Sequence, residues 1–235
     1  MTRGFGIVGT GVIAAVHAEA IAPLPGAALV AVTDVAPGAA AAFAAARGCA
    51  AEPDLDALLA RPDVDVVSVC VPSGLHAEVD LLRWCMGPVT EVTALCATQT
   101  HQIEVEDTSL AALRFSSGAV GTIVASTCVF PGFAQRLEIT GTEGTITIED
   151  GAIIRRAFGG GAHEPGGPPG GGAAAGSNPA AVDVASHAAQ LTDLLAAIEA
   201  GREPAVTGEN GRAALEIVCA VYESARTRRA VTLAP

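Results

Sequence analysis

The chain has 235 residues, half of them hydrophobic and 3% aromatic, with 25 acidic against 13 basic side chains and a net charge of −12. That length and apolar share can bury one sizeable core or two smaller ones sharing an interface. The acidic balance, with no segment that gathers its arginines into a stripe, excludes nucleic acid as a partner.

All 13 cations are Arg, and the chain has no Lys. Cys49, Cys70, Cys85, Cys96, Cys128 and Cys219 stand without a CxxC pair or a His at ligand spacing, so no metal site is expected and they read as buried free thiols. Gly9, Gly11, His17, Glu19, Pro23 and Pro25 break up the apolar N-terminus, and no basic segment leads it. Neither a signal peptide nor membrane association is expected, and the expected location is cytoplasmic.

Gly4 to Gly9 (GFGIVG) is a short apolar run ending in Gly, followed at helical spacing by Ile13, Val16, His17, Ala20 and Ile21, which predicts strand, turn and helix. Leu29 to Asp34 predicts a second buried strand, Pro37 to Arg47 an Ala-rich helix, Pro53 to Leu59 a short helix, and Asp65 to Pro72 another strand. Val-rich strands alternating with helices indicate a parallel sheet covered on both faces. After Gly87 the pattern changes to consecutive strand candidates: Val89 to Thr98, Thr108 to Phe115, Ala119 to Val129, Arg136 to Thr140 and Thr145 to Glu149. Leu137 and Ile139, then Ile146 and Ile148, alternate with polar neighbours, as in an antiparallel sheet with one open face. Gly159 to Gly176 is dominated by Gly with three Pro and is expected to be a flexible loop. Two helices follow, one with Leu191, Leu194, Leu195 and Ile198 on a face, the other with Ala214, Ile217, Val218, Val221, Tyr222 and Ala225. Val231 to Leu233 closes the chain as a short strand.

Gly9-Thr10-Gly11-Val12-Ile13-Ala14 fits GxGxxG/A between a predicted strand and helix, and Asp34 ends the next strand. Gly9 allows the tight turn, Gly11 lets backbone approach a pyrophosphate, and Ala14 permits close helix-to-strand packing. Asp34 is placed to accept hydrogen bonds from the adenosine ribose, and Val35, Ala36 and Pro37 offer no cation to a 2′-phosphate. The expected cofactor is therefore NAD rather than NADP. The alternative is a glycine-rich turn in some other α/β fold, with Asp34 a solvated strand end.

These segments resemble the Gfo/Idh/MocA (glucose-fructose oxidoreductase and inositol dehydrogenase) family. GIVGTGVIAAVHAEAI and VVSVCVPSGLHAEV are similar to its first and fourth Rossmann strands, while VEDTSLAALRFSSGAVGTI, ITGTEGTITI and YESARTRRAVTL are similar to its second domain. The resemblance implies an α/β fold: a truncated Rossmann parallel sheet over 1–79, then an α+β domain with an open-faced, mainly antiparallel sheet over 80–235. It adds Pro72, Ser73 and His76, from the family's Pro-x-x-x-His loop, to Gly9, Thr10, Gly11, Val12, Ile13 and Asp34 as cofactor-side residues. The family's Glu-Lys-Pro segment has no counterpart, because Val79 runs directly into Asp80-Leu81-Leu82-Arg83-Trp84. His76 is then the candidate proton acceptor, against the plainer reading of a His exposed at a helix start.

Two functions follow from the resemblance. One is NAD-dependent hydride transfer with a sugar, polyol or nucleotide-sugar, completed by a neighbouring subunit; the other is a non-catalytic nucleotide-binding or assembly protein. Exposed strand edges and the open sheet face lead us to expect a homodimer or larger homo-oligomer. Elsewhere, Glu104, Glu106 and Asp107 read as a solvated turn, His101 as lacking a partner, His163 and Glu164 as loop residues, and His17 and His187 as packing on helix faces.

Overall fold

The computed structural model describes residues 2–70, 76–130, 132–159, 164–165 and 184–234, with backbone alone for 76–78 and 164–165. Contacts divide the chain into two units, Met1–Ser73 with Pro179–Val206 and Gly74–Asn178 with Thr207–Pro235.

The first unit begins with β1 (Arg3–Val8), α1 (Val12–Ile21), β2 (Ala27–Thr33), α2 (Ala39–Arg47), β3 (Ala50–Ala51), α3 (Leu55–Leu59) and β4 (Val66–Val69). The strands form one parallel sheet in the order β3-β2-β1-β4. Apart from Arg3 and Thr33 at their ends, the central strands β1 and β2 carry no polar side chain, as in a sheet covered on both faces, and Phe5, Ile7 and Val32 are fully buried. Gly4 is needed on β1, since a Cβ there would collide with the Asp63 carbonyl. The expected strands and helices are present; β3, two residues long, is too short to leave a periodic signal.

The second unit starts at α4 (His76–Met86) and continues through β5 (Val89–Ala97), β6 (Thr108–Phe115), β7 (Val120–Ser126), β8 (Arg136–Gly141), β9 (Gly144–Glu149), β10 (Ala152–Phe158) and β11 (Glu164–Pro165). Then α5 (Val184–Ala200) returns to the first unit, where Leu191 and Leu195 join the core around α1. The second unit closes with α6 (Gly208–Thr227) and β12 (Val231–Thr232). Thr207 and Asn210 start α6 with reciprocal side-chain-to-backbone bonds.

The antiparallel strands form two four-stranded sheets, β12-β5-β6-β7 and β11-β10-β9-β8. β6 alternates buried and exposed residues. Ala111, Leu113 and Phe115 face a core that includes Ile217 and Val221, whereas Leu110, Ala112 and Arg114 face outward. The outer face carries a stripe in register across three strands: Leu95, Leu110 and Val124, exposed by 66%, 46% and 68%.

Three sequence expectations are corrected. On β9 it is Thr147 that is buried, while Ile146 and Ile148 are half-exposed. Thr147 is the cross-strand partner of both Glu138 and Arg155, whose longer side chains cover it. β10 was not expected, although Asp150-Gly151, both at positive φ (45° and 77°), makes the tight turn that pairs it with β9. Among the cysteines only Cys70 is buried outright, and Cys219 is exposed. The glycine-rich stretch from Gly159 to Gly176 lies, apart from Gly159 and the backbone of 164–165, outside the described residues.

Candidate dinucleotide site

β1 ends at Val8, and Gly9 turns the chain with φ 88°, a left-handed conformation that a side chain would strain. Its N–H donates to the Thr33 carbonyl at 2.9 Å, which fixes the turn against the end of β2. Gly11 is the N-cap of α1, with no side chain capping the helix and no acidic residue in its first turn. A Cβ at Gly11 would meet nothing within 4 Å, so the backbone over the helix start is open to a ligand. Val12 is exposed, Ile13 packs against the core, and Ala14 is fully buried, allowing α1 to lie close to the sheet. The helix start therefore presents N–H groups and the positive end of the helix dipole, the arrangement that receives a phosphate.

Asp34 follows β2 and is tied to this turn. Its Oδ2 accepts the Thr10 N–H at 2.6 Å and the Thr10 hydroxyl at 2.7 Å, while Oδ1 accepts the Ala36 N–H at 2.7 Å. The Ala36 N–H, then the Thr10 hydroxyl and N–H, hold its carboxyl below the usual carboxylate range. The site thus combines an anion-receiving helix start with an ionised, oriented acceptor at the next strand end. These residues have the donor and acceptor chemistry that the adenosine half of a dinucleotide calls for.

His76 is the first residue of α4, but its side chain, like all of Pro72 and Ser73, lies outside the described residues. His17 and His187 do pack on helix faces. The His17 Nδ1 lies 2.6 Å from Ser68 Oγ, and the two rings meet edge to face with centroids 4.9 Å apart. Burial, and then His187, lower the His17 pKa.

The polar cluster of the second unit differs from expectation. Asp107 is no solvated turn residue; it is 2% exposed, and Oδ2 accepts the N–H groups of Gln99, Thr100 and His101. These bonds, led by His101 and Thr100, hold its carboxyl far below the usual range. His101 does have a partner, with Nδ1 3.5 Å from Asp107 Oδ2. His101, Asp107 and Cys128 bring ligand-type atoms within 4.8 Å of one another. Backbone donors already engage the carboxylate, so the group locks the β5–β6 loop instead of offering lone pairs to a cation.

A parallel half-sheet with a phosphate turn and an aligned strand-end acid defines a Rossmann-type dinucleotide-binding protein. Comparison with known proteins agrees. Residues 3–83 match the model of an oxidoreductase family with an NAD-binding Rossmann fold, and residues 73–147 match the GFO/IDH/MocA C-terminal domain. Inositol 2-dehydrogenase of Rhizobium meliloti is 44% identical over 79 residues, 34% of this chain and 24% of that protein. Myo-inositol 2-dehydrogenase of Thermotoga maritima is 28% identical over 166 residues, 66% of this chain and 46% of that protein. The chain thus spans less than half the length of either relative. In fold it is similar to the WlbA dehydrogenase from Bordetella pertussis, solved with NADH and UDP-GlcNAcA, at a TM-score of 0.77 and 22% identity, covering 100% of this chain and 98% of that one. The chain belongs to the Gfo/Idh/MocA family of oxidoreductases.

Proposed function

We propose that this chain binds NAD(H) through the adenosine half of the cofactor and carries out no sugar or polyol oxidation of its own. The observation that carries the binding is the pairing of the open helix start at Gly11 with Asp34, held by Thr10 and Ala36. Gly9, Thr10, Gly11, Val12 and Ile13 would hold the pyrophosphate and Asp34 the ribose, with Pro72, Ser73 and His76 on the nicotinamide side. When bound, the nicotinamide ring supplies a hydride acceptor.

Hydride transfer also needs a base for the alcohol proton and a wall that orients the ring against the carbon. The chain has no Lys, and Val79 runs directly into Asp80 within α4, leaving His76 as the candidate base. A general acid–base group contributes about 10²- to 10⁴-fold and orientation contributes more, so their loss leaves turnover near background. NADH formation from NAD with myo-inositol, glucose and a UDP-sugar tests this. Background rates support the proposal. Robust turnover abolished by His76→Ala overturns it.

The second reading is a dehydrogenase of a sugar, polyol or nucleotide-sugar, with His76 as proton acceptor and the remaining site built from a neighbouring subunit. Its support is the resemblance to inositol dehydrogenases. Both readings include self-association through the Leu95–Leu110–Val124 face.

A further inference from the structure

We propose that Thr10 is a specificity-determining residue of the ribose pocket, because its hydroxyl commits its single proton to Asp34 and so presents only acceptor lone pairs to a ligand. The inference rests on the NAD(H) reading above and adds the residue that enforces its selectivity. An ionised carboxylate offers about four lone-pair sites. Three are filled, two on Oδ2 by the Thr10 N–H and hydroxyl and one on Oδ1 by the Ala36 N–H. One acceptor site remains, on Oδ1. A hydroxyl has one proton and two lone pairs, so Thr10 Oγ1 can still accept although it has no proton left to give.

The pair therefore keeps two kinds of acceptor, Asp34 Oδ1 and Thr10 Oγ1, linked through Asp34 Oδ2. A ribose cis-diol brings two O–H donors, one for each. A 2′-phosphate brings acceptor oxygens and roughly −1.5 to −2 charge at neutral pH, and meets at this pair neither a free proton nor a cation. Val35, Ala36 and Pro37 add no cationic side chain. Selectivity thus belongs to the Thr10–Asp34 pair and is coupled within it. Removing Asp34 frees the Thr10 hydroxyl and N–H together, turning an acceptor site into a donor site.

That coupling is the test. The full chain and its variants are titrated calorimetrically with NADH and NADPH, with thermal melts as a check on folding. Thr10→Val keeps the shape and removes the hydroxyl; it should weaken NADH about tenfold and narrow the preference for NADH over NADPH. Thr10→Ser should restore both. Asp34→Ala should bind NADPH more tightly than the unaltered chain does, and Asp34→Ala combined with Thr10→Val should lose that gain. Unchanged NADH affinity in Thr10→Val, or an NADPH gain that survives in the double variant, overturns the role of Thr10 while leaving the cofactor reading in place. An unaltered chain that binds neither dinucleotide overturns both.

Discussion

Asp34 and Asp107 are both carboxylates held by backbone N–H groups, yet they serve opposite ends. Asp34 stands half-exposed with an acceptor site left over, which suits a ligand. Asp107 is buried with its donors in place, which suits a loop. A carboxyl whose folded pKa lies below its unfolded value, 3.8 here, contributes stability that is complete above that value and is lost as pH falls through the folded one. Asp107→Asn should therefore lower the melting temperature by several degrees at pH 7 and flatten the acid limb of stability against pH. Parallel melting curves for the two proteins from neutral to acid pH would contradict the loop-lock role. None of this was legible in the sequence, where Glu104, Glu106 and Asp107 have the polarity of a solvated turn. Burial came from a loop that curls back over Asp107, and local spacing carries no sign of such a return. Asp34 was legible because a strand end and a glycine turn fix its place from nearby residues alone.

Elements with a strong period or a continuous apolar run could be read directly: β1, β2, β4, β6 and α6 fall where the sequence puts them. Those that escaped lacked such a signal or depended on partners. β3 has two residues, and the buried Thr147 depends on what stands opposite it on β8 and β10. β10 is preceded by an Asp150-Gly151 turn, the one sequence signal for its pairing with β9. For α5, the periodicity marks an apolar face without saying which core it meets, and the face meets α1. In the second unit the clearest case is Phe115, buried at the end of β6 beside Ala119 and Gly121. Phe115→Ala should cost about 3–5 kcal/mol in denaturant unfolding, the range for emptying a buried aromatic position. A loss under about 1 kcal/mol would mean that the site collapses around the gap or is not packed as described.

At the scale of the molecule, two exposed features point to self-association. β4 ends the parallel sheet as an edge strand, and Leu95, Leu110 and Val124 form an apolar stripe on the outer face of the β5–β6–β7 sheet. Exposed edges and contiguous apolar faces tend to be covered by partners. We predict a homodimer or larger assembly in light scattering at micromolar concentration, shifted toward monomer by Leu110→Arg. A monodisperse monomer in the unaltered chain would remove assembly from the account.

We propose that the cofactor is held by its adenosine half, for which Gly9, Thr10, Gly11 and Asp34 form the candidate site. Titration with ADP-ribose, which has the adenosine and pyrophosphate but no nicotinamide, tests it most directly. ADP-ribose should bind saturably at one site per chain, with an affinity within a few-fold of that for NADH and weakened about tenfold or more by Asp34→Ala. A chain that binds NADH but not ADP-ribose, or that binds both equally well after Asp34→Ala, would contradict it.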